Sequence, residues 1–208
     1  MKIAVVGATG MVGSRVVRES VHRGHDITAV CRGRNPSRPG VTTVQCDAND
    51  RNRMATLFSG HDAIVGATRP SLGQEDTVAA TTTALLDAAA EAGTRILVIG
   101  GAGPLRIPGQ PDQLVAGSAD HVPAAWRTIA AASVAQLYAC RAHPANWVYV
   151  SPPAVLEPGH RTGTYRRGGT TLLTRSDGAS RISAEDLAVA VLDEIENPRE
   201  NDHFTIAY

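Results

Sequence analysis

Apolar residues recur along this chain in short unbroken runs rather than in strict alternation. The runs fall at Ile3–Val6, Ile27–Cys31, Thr43–Cys46, Ala63–Gly66, Ile96–Ile99 and Trp147–Val150. A strand that is apolar on both faces is covered on both faces, as in a parallel sheet between helices. Helical segments separate the runs: Met11–Arg23, about Asn52–Phe58, Thr77–Ala92 and Ala124–Arg141. The third is rich in Ala, Thr and Leu and stops at Gly93, a residue that tolerates the left-handed conformation ending a helix. This alternation predicts βαβ units and an α/β fold with a doubly wound parallel sheet.

The pattern changes after Val150. "SPPAVLEPG" reads as a loop, because Pro152, Pro153 and Pro158 bar regular structure. "GTYRRGGTTLLTRSDGASRIS" reads as a β-hairpin turning at Asp177-Gly178. Ser183 caps a last helix that runs to about Asn197, with Asp186 at the third position of an approximate capping box, and "HFTIAY" closes the chain as a strand. The expectation is one domain over residues 1–208, in which 151–208 form a small substrate-side lobe over one edge of the sheet.

Composition narrows the classes. With 208 residues and 43% hydrophobic content the chain can bury a full core. Its net charge is zero, so no long-range field draws it to nucleic acid or to an anionic membrane. No apolar run is long enough for a membrane span, and the start does not read as a signal peptide. Cys31, Cys46 and Cys140 are odd in number and lack C-x-x-C spacing, which argues against a disulfide framework or a zinc site. No other cluster has metal-ligand spacing. A reducing cytoplasm is the expected compartment.

The candidate chemistry lies in "GATGMVG". Gly7, Gly10 and Gly13 follow the first strand and open the first helix. Gly7 permits a tight turn, Gly10 removes a side chain where backbone approaches a pyrophosphate, and Gly13 lets helix and strand pack closely. The helix start adds free N–H groups and a positive dipole, with Thr9, Met11 and Val12 as further donors. At the first strand-turn-helix of an alternating chain, this predicts a Rossmann-type dinucleotide site. An NAD site usually carries an acid after the second strand, about 20 residues on. Here that place holds Arg32 and Arg34, whose guanidinium groups suit a 2′-phosphate, so NADP(H) is the expected cofactor. Asp47 after the third strand is placed either to meet the adenine amino group or to cap a turn. Gly66, Ala67 and Thr68 after the fourth strand let the adenosine half lie near the backbone.

These stretches, with "RILVIGGAG", "WVYVSPPAVLEPGHRTGTYRRGG" and "SRISAEDLAVAVLDEIENPRENDHFTIAY", resemble the atypical short-chain dehydrogenase/reductase group. The subset resembled is the NAD(P)H-binding, NADH-flavin reductase one, related to biliverdin IXβ/flavin reductase and NmrA-like proteins. The resemblance covers nearly the whole chain and is weakest over Pro104 to Ala125. It implies that the loop of Ser151, Pro152 and Pro153 touches the carboxamide side of a nicotinamide, with Val155 contributing through its backbone.

Lys2 is the only lysine, so a Tyr-x-x-x-Lys proton relay is absent. Tyr138 stands on the helix where such a pair would lie, but Ala142 follows four residues later, and Tyr138 is expected to pack against the protein. Arg141 holds its proton too tightly to shuttle it. The reaction left over is hydride transfer from NADPH to a flavin, a quinone or a similar small conjugated acceptor, with FMN or FAD as substrate. Gly100, Gly101, Ala102 and Gly103 after the fifth strand would leave room for a flat ring. His121, Ser118 and His160 are the candidate proton donors, His121 first for its near-neutral pKa. Arg106, Arg161, Arg166 and Arg167 would form a positive rim. The alternatives are a non-catalytic NADP(H) sensor that binds a protein partner, and an isomerase or dehydratase on the same fold. A monomer or homodimer is expected.

Overall fold

The computed structural model describes residues 1–33 and 39–208. The strands are β1 (Lys2–Val6), β2 (Asp26–Cys31), β3 (Val41–Gln45), β4 (Ala63–Gly66), β5 (Ile96–Ile99), β6 (Arg106–Ile107), β7 (Gln110–Leu114), β8 (Trp147–Ser151), β9 (Val155–Glu157), β10 (Arg166–Gly168), β11 (Arg181–Ser183) and β12 (His203–Ala207). The helices are α1 (Gly13–His22), α2 (Arg51–Phe58), α3 (Val78–Ala92), α4 (Arg127–Arg141) and α5 (Ala184–Glu196). The main sheet has eight strands in the order β10-β12-β8-β5-β4-β1-β2-β3, parallel except for β10. Strand order reverses across β1, whose neighbours are β2 and β4. In doubly wound sheets ligands bind in the crevice at the carboxyl ends of the strands at such a reversal.

Unbroken apolar runs make sense here because each inner strand feeds both faces. Ile3 and Val5 face α1 and α5, while Ala4 and Val6 face the layer that contains α2, α3 and α4. The predicted strands and helices are all present, with shifted ends. The first helix starts at Gly13 rather than Met11, because Met11 and Val12 remain in the turn. The fourth starts at Arg127, because Ala124–Trp126 winds as a tighter 3₁₀ turn after Pro123.

One expectation is corrected. The turn at Asp177-Gly178 exists, with Gly178 at φ 80° and the Arg175 N–H donating to Ala179 O. Its flanks do not pair with each other. β10 instead runs antiparallel to β12 at the edge of the main sheet, and β11 runs parallel to β9. The edge of β12 buries Phe204 and Ile206 and offers β10 a ready ladder, which outcompetes the local hairpin. The C-terminal third shares the core of the single domain. Leu187, Val191, Phe204 and Ile206 share one core with Ile3 and Val5, and α5 packs on α1.

One element lies where the sequence showed least. β6 and β7 form a hairpin turning at Pro108-Gly109, with Gly109 at φ 76°. Leu105, Ile107, Val115, Val122 and Leu172 form a small core beneath it.

Ser183 caps α5 as expected, its hydroxyl accepting from the Asp186 N–H at 3.0 Å. Asp186 in turn accepts from Thr162 N, Thr162 Oγ1, Gly163 N and Tyr208 OH. Burial pushes its carboxyl up, but the bonds from Thr162, Tyr208 and Gly163 outweigh burial and hold it below the usual carboxylate range. The last residue of the chain thereby ties the loop after β9 to the start of α5.

Candidate dinucleotide site

At the top of β1 the chain turns at Gly7, with φ 84°. The Gly7 and Ala8 N–H groups donate to Val30 O at 3.0 and 3.2 Å, which lays the turn across β2. A Cβ on Gly7 would sit 2.4 Å from Ala67 O, and one on Gly13 would sit 2.2 Å from Gly7 O. Real Cβ atoms do not approach backbone so closely, so both positions require glycine. Gly10 is less constrained, with its nearest neighbour at 3.2 Å. The N–H groups of Thr9, Met11, Val12 and Gly13 meet no acceptor among the described residues. No acidic side chain occupies the first turn of α1. A helix start with free donors and no carboxylate attracts an anion such as a pyrophosphate.

On the adenosine side, Arg32 is exposed just past β2. It lines a 420 Å³ depression with Gln45, Cys46, Asp47 and Arg53. Arg34 lies outside the described residues. Asp47 Oδ1 accepts from Asn49 N at 2.9 Å and Asn49 Nδ2 at 3.0 Å, so the residue does cap its turn. Arg53 was missed by sequence reasoning. Its signal was the capped start of α2 in "CDANDRNR", where Asp50 accepts from the Arg53 N–H at 3.2 Å. That cap aims the first turn of α2 at the same depression. Ala67 and Thr68 are half-buried at the exit of β4, with the Ala67 N–H on Val6 O at 2.9 Å, and Gly66 is buried beneath them.

The exit of β5 differs from expectation. A Cβ on Gly100 would lie 1.8 Å from the Tyr149 hydroxyl, and one on Gly103 would lie 2.2 Å from Ala130 O. Gly101 is nearly as tight, 3.0 Å from Ser133 Cβ. These glycines let Tyr149 and α4 pack on the loop and do not clear a ring-sized space. Tyr149 is fully buried, its hydroxyl donating to Ser133 O and Gln136 Oε1, and burial pushes its pKa up.

The loop after β8 also needs correction. Ser151 is 0% exposed and its hydroxyl pairs with His203 Nε2 at 2.9 Å, so it turns away from any ligand. Burial, then the charge of Arg141, lower the His203 pKa to about 4, so its ring is neutral at pH 7. Pro152 and Pro153 are buried. Val155 is exposed, but its N–H is committed to Ser180 O at 2.9 Å.

Of the candidate proton donors, the structure joins Ser118 and His121. Ser118 Oγ and His121 Nδ1 are 2.9 Å apart in a half-buried pair. The pair is anchored to the exit of β5 through Ala116 N on Gly103 O and Val115 N on Leu105 O. His160 is exposed on a different loop, where its carbonyl accepts from Ser183 Oγ. The loop after β4 reaches toward the same region, with Arg69 Cζ 5.8 Å from the ring centre of Trp126. Trp126 is 54% exposed and was not foreseen.

The positive rim dissolves for three of its arginines. Arg161 holds Glu19, Arg166 caps Tyr208 O and Thr174 O, and Arg167 holds Glu194. Arg161 chiefly, with Arg23, keeps the Glu19 carboxyl at about 2 against the effect of burial. Tyr138 does not pack inward as expected. It is 58% exposed, with Arg141 Cζ 6.0 Å from its ring. Lys2 is exposed at the opposite end of β1 from the glycine turn, so it takes no part in the site.

This geometry defines a dinucleotide-binding protein with a Rossmann-type α/β fold. Residues 7–198 match the model of the NAD(P)H-binding family, and the chain belongs to that family. Three solved structures are similar along the whole chain. A "putative epimerase" from Bacteroides thetaiotaomicron is 32% identical, with a TM-score of 0.91 over 100% of this chain and 96% of that one. A "putative NADH-flavin reductase" from Streptococcus pneumoniae is 29% identical, with a TM-score of 0.89 over 100% and 99%. A "putative exported protein" from Burkholderia pseudomallei is 37% identical, with a TM-score of 0.88 over 100% of both chains. Among the described residues no helix is long and apolar enough to cross a membrane, and no cluster could hold a metal ion.

Proposed function

We propose that this protein is an NADPH-dependent oxidoreductase acting on a flavin such as FMN or FAD, a quinone or another flat conjugated small molecule. The observation that carries it is the glycine turn, whose free N–H groups open α1 and whose Gly7 and Gly13 pack backbone against backbone where no Cβ fits. The bound nicotinamide supplies a hydride. Thr9, Met11, Val12 and Gly13 hold the pyrophosphate through backbone donors. Arg32 and Arg53 clamp the 2′-phosphate, and Asp47 uses its remaining oxygen for the adenine amino group. Thr68 borders the ribose. The Ser118–His121 pair would deliver a proton to the reduced acceptor, with Ser118 orienting the ring through Nδ1. Trp126 and Arg69 offer a surface on which a flat acceptor stacks. A conjugated acceptor can take its proton from water, so the missing Tyr-Lys pair is tolerable. The unpaired, buried thiols of Cys31, Cys46 and Cys140 favour the cytoplasm, and recovery of the protein in a secreted fraction would overturn that placement.

NADPH consumption with a panel of flavins and quinones tests the reading. Turnover is expected with at least one acceptor. His121→Ala should lower kcat about a hundredfold, the low end for a general acid, and leave NADPH affinity unchanged. Tight NADPH binding with no turnover on any acceptor would favour the sensor reading, which the lack of a lysine near the site supports.

Cofactor choice has its own test. Arg32→Glu should cost NADPH binding about 1.5–3 kcal/mol by losing a charge-assisted contact. NADH binding should change far less. Equal losses for both cofactors would remove Arg32 from the 2′-phosphate site.

A further inference from the structure

A second ligand-sized space lies away from the glycine turn, between the β6–β7 hairpin and α4. It is a partly open cleft of 110 Å³ with Arg106, Arg141, Tyr138 and Thr170 around it and Leu114 and Val134 among its apolar walls. No residue of the glycine turn or of the Ser118–His121 pair lines it.

Its charge is uncompensated. Arg15, Arg23, Arg51, Arg95, Arg161, Arg167 and Arg175 all pair with carboxylates, whereas Arg106 and Arg141 pair with none among the described residues. No acidic side chain lines the cavity. Arg106 is held by its own hairpin, Nη1 donating to Pro111 O, and its backbone is fixed by Arg106 N on Thr170 O and Leu172 N on Arg106 O. Arg141 Cζ lies 6.0 Å from the Tyr138 ring centre. The Arg106 guanidinium is therefore positioned before any ligand arrives, which reduces the entropy lost on binding.

We propose that this cavity binds a small aromatic carboxylate. The two guanidinium groups that line it take the carboxylate, with the Tyr138 and Thr170 hydroxyls as further donors. The apolar walls take the ring. A single water needs roughly 10–15 Å³, so the space accepts a body of about seven to ten heavy atoms. A bare inorganic anion would leave the apolar walls wet, and a neutral ring would leave both charges without a partner. Occupancy would bridge the hairpin to α4 and steady the segment that carries Ser118 and His121.

The test is calorimetric titration of the full-length protein with sodium benzoate, benzamide and inorganic phosphate. Benzoate is expected to bind saturably and at least tenfold more tightly than either control. Arg141→Gln should weaken benzoate at least tenfold, and the double variant Arg106→Gln with Arg141→Gln should abolish it. Arg141 is exposed and makes no side-chain hydrogen bond among the described residues, so Arg141→Gln should melt with the wild type and bind NADPH equally well, while circular dichroism checks the fold of the double variant, which also loses the Arg106 bond to Pro111 O. Benzamide binding as tightly as benzoate overturns the charge assignment. Phosphate binding as tightly overturns the aromatic one. No benzoate heat, or heat unchanged in the double variant, overturns the site itself. If the substitutions instead alter sedimentation without any benzoate binding, the face belongs to contacts between copies of the chain and the proposal fails.

Discussion

Gly13→Ala is expected to raise the NADPH dissociation constant at least a hundredfold, which is about 2.8 kcal/mol. The added Cβ would sit 2.2 Å from Gly7 O and 2.8 Å from Gly7 C, both backbone atoms that cannot rotate away. Relief requires α1 to slide off the turn. That movement separates the Val12 and Gly13 donors from those of Thr9 and Met11, and the four no longer converge on one pyrophosphate. Gly10→Ala is the informative partner. Its Cβ meets Gly7 O at 3.2 Å, a contact that a shift of a few tenths of an ångström relieves. If its effect on binding matches that of Gly13→Ala, the obstacle is the new methyl group against the ligand and not the displaced helix. Near-ultraviolet circular dichroism of the apo-proteins separates lost affinity from lost fold. NADPH binding to Gly13→Ala within threefold of wild type would remove the glycine turn from the site.

The parts of the fold and site legible in the sequence were those set by local rules. β1 to β5 and α1 to α4 announce themselves because buried parallel strands need unbroken apolar runs and each helix has a stop or cap nearby. The glycine turn was legible because only glycine fits backbone against backbone at Gly7 and Gly13. The errors came where a residue's meaning depends on a distant partner. Gly100 and Gly103 read as open space, yet each is small because Tyr149 and Ala130 come to it from β8 and α4. Arg161, Arg166 and Arg167 read as a rim, yet each is claimed by a residue at least eight positions away or by the chain end. Ser151 read as a ligand contact, but its partner His203 lies 52 positions on. The hairpin at Asp177-Gly178 failed for the same reason. A good turn fixes where the chain reverses, while the free edge of β12 decides which strand is paired. The β6–β7 hairpin did carry a local signal, the Pro108-Gly109 dipeptide.

Glu194→Ala should be the most damaging substitution away from the ligand site, at about 3–5 kcal/mol. For a chain of this length that lowers the melting temperature by roughly 6–20 °C. The Glu194 side chain is 0% exposed and lies between Arg95 Nη2 at 2.9 Å and Arg167 Nη1 at 2.7 Å. It also accepts from the Arg199 N–H at 3.2 Å, just past the end of α5. Arg167, 14% exposed, has less room than Arg95 to reach water if the carboxylate is removed. Its guanidinium lies over the Phe204 ring, with Cζ 3.6 Å from the centre, and its Nη2 is already buried without a partner. Arg95 is 22% exposed and can turn toward water. The cost therefore comes mainly from one stranded cation beneath β10, not from the loss of an attraction. This separates two explanations that the single variant cannot. If the stranded charge is the cause, Glu194→Leu combined with Arg167→Leu recovers most of the lost stability, because the apolar pair packs on Phe204 and leaves no buried ion. If the attraction itself were the source, the double variant would be as unstable as Glu194→Ala. A melting temperature for Glu194→Ala within 2 °C of wild type, about 1 kcal/mol or less, would show that water reaches Arg167 and that β10 is held by its ladder to β12 alone.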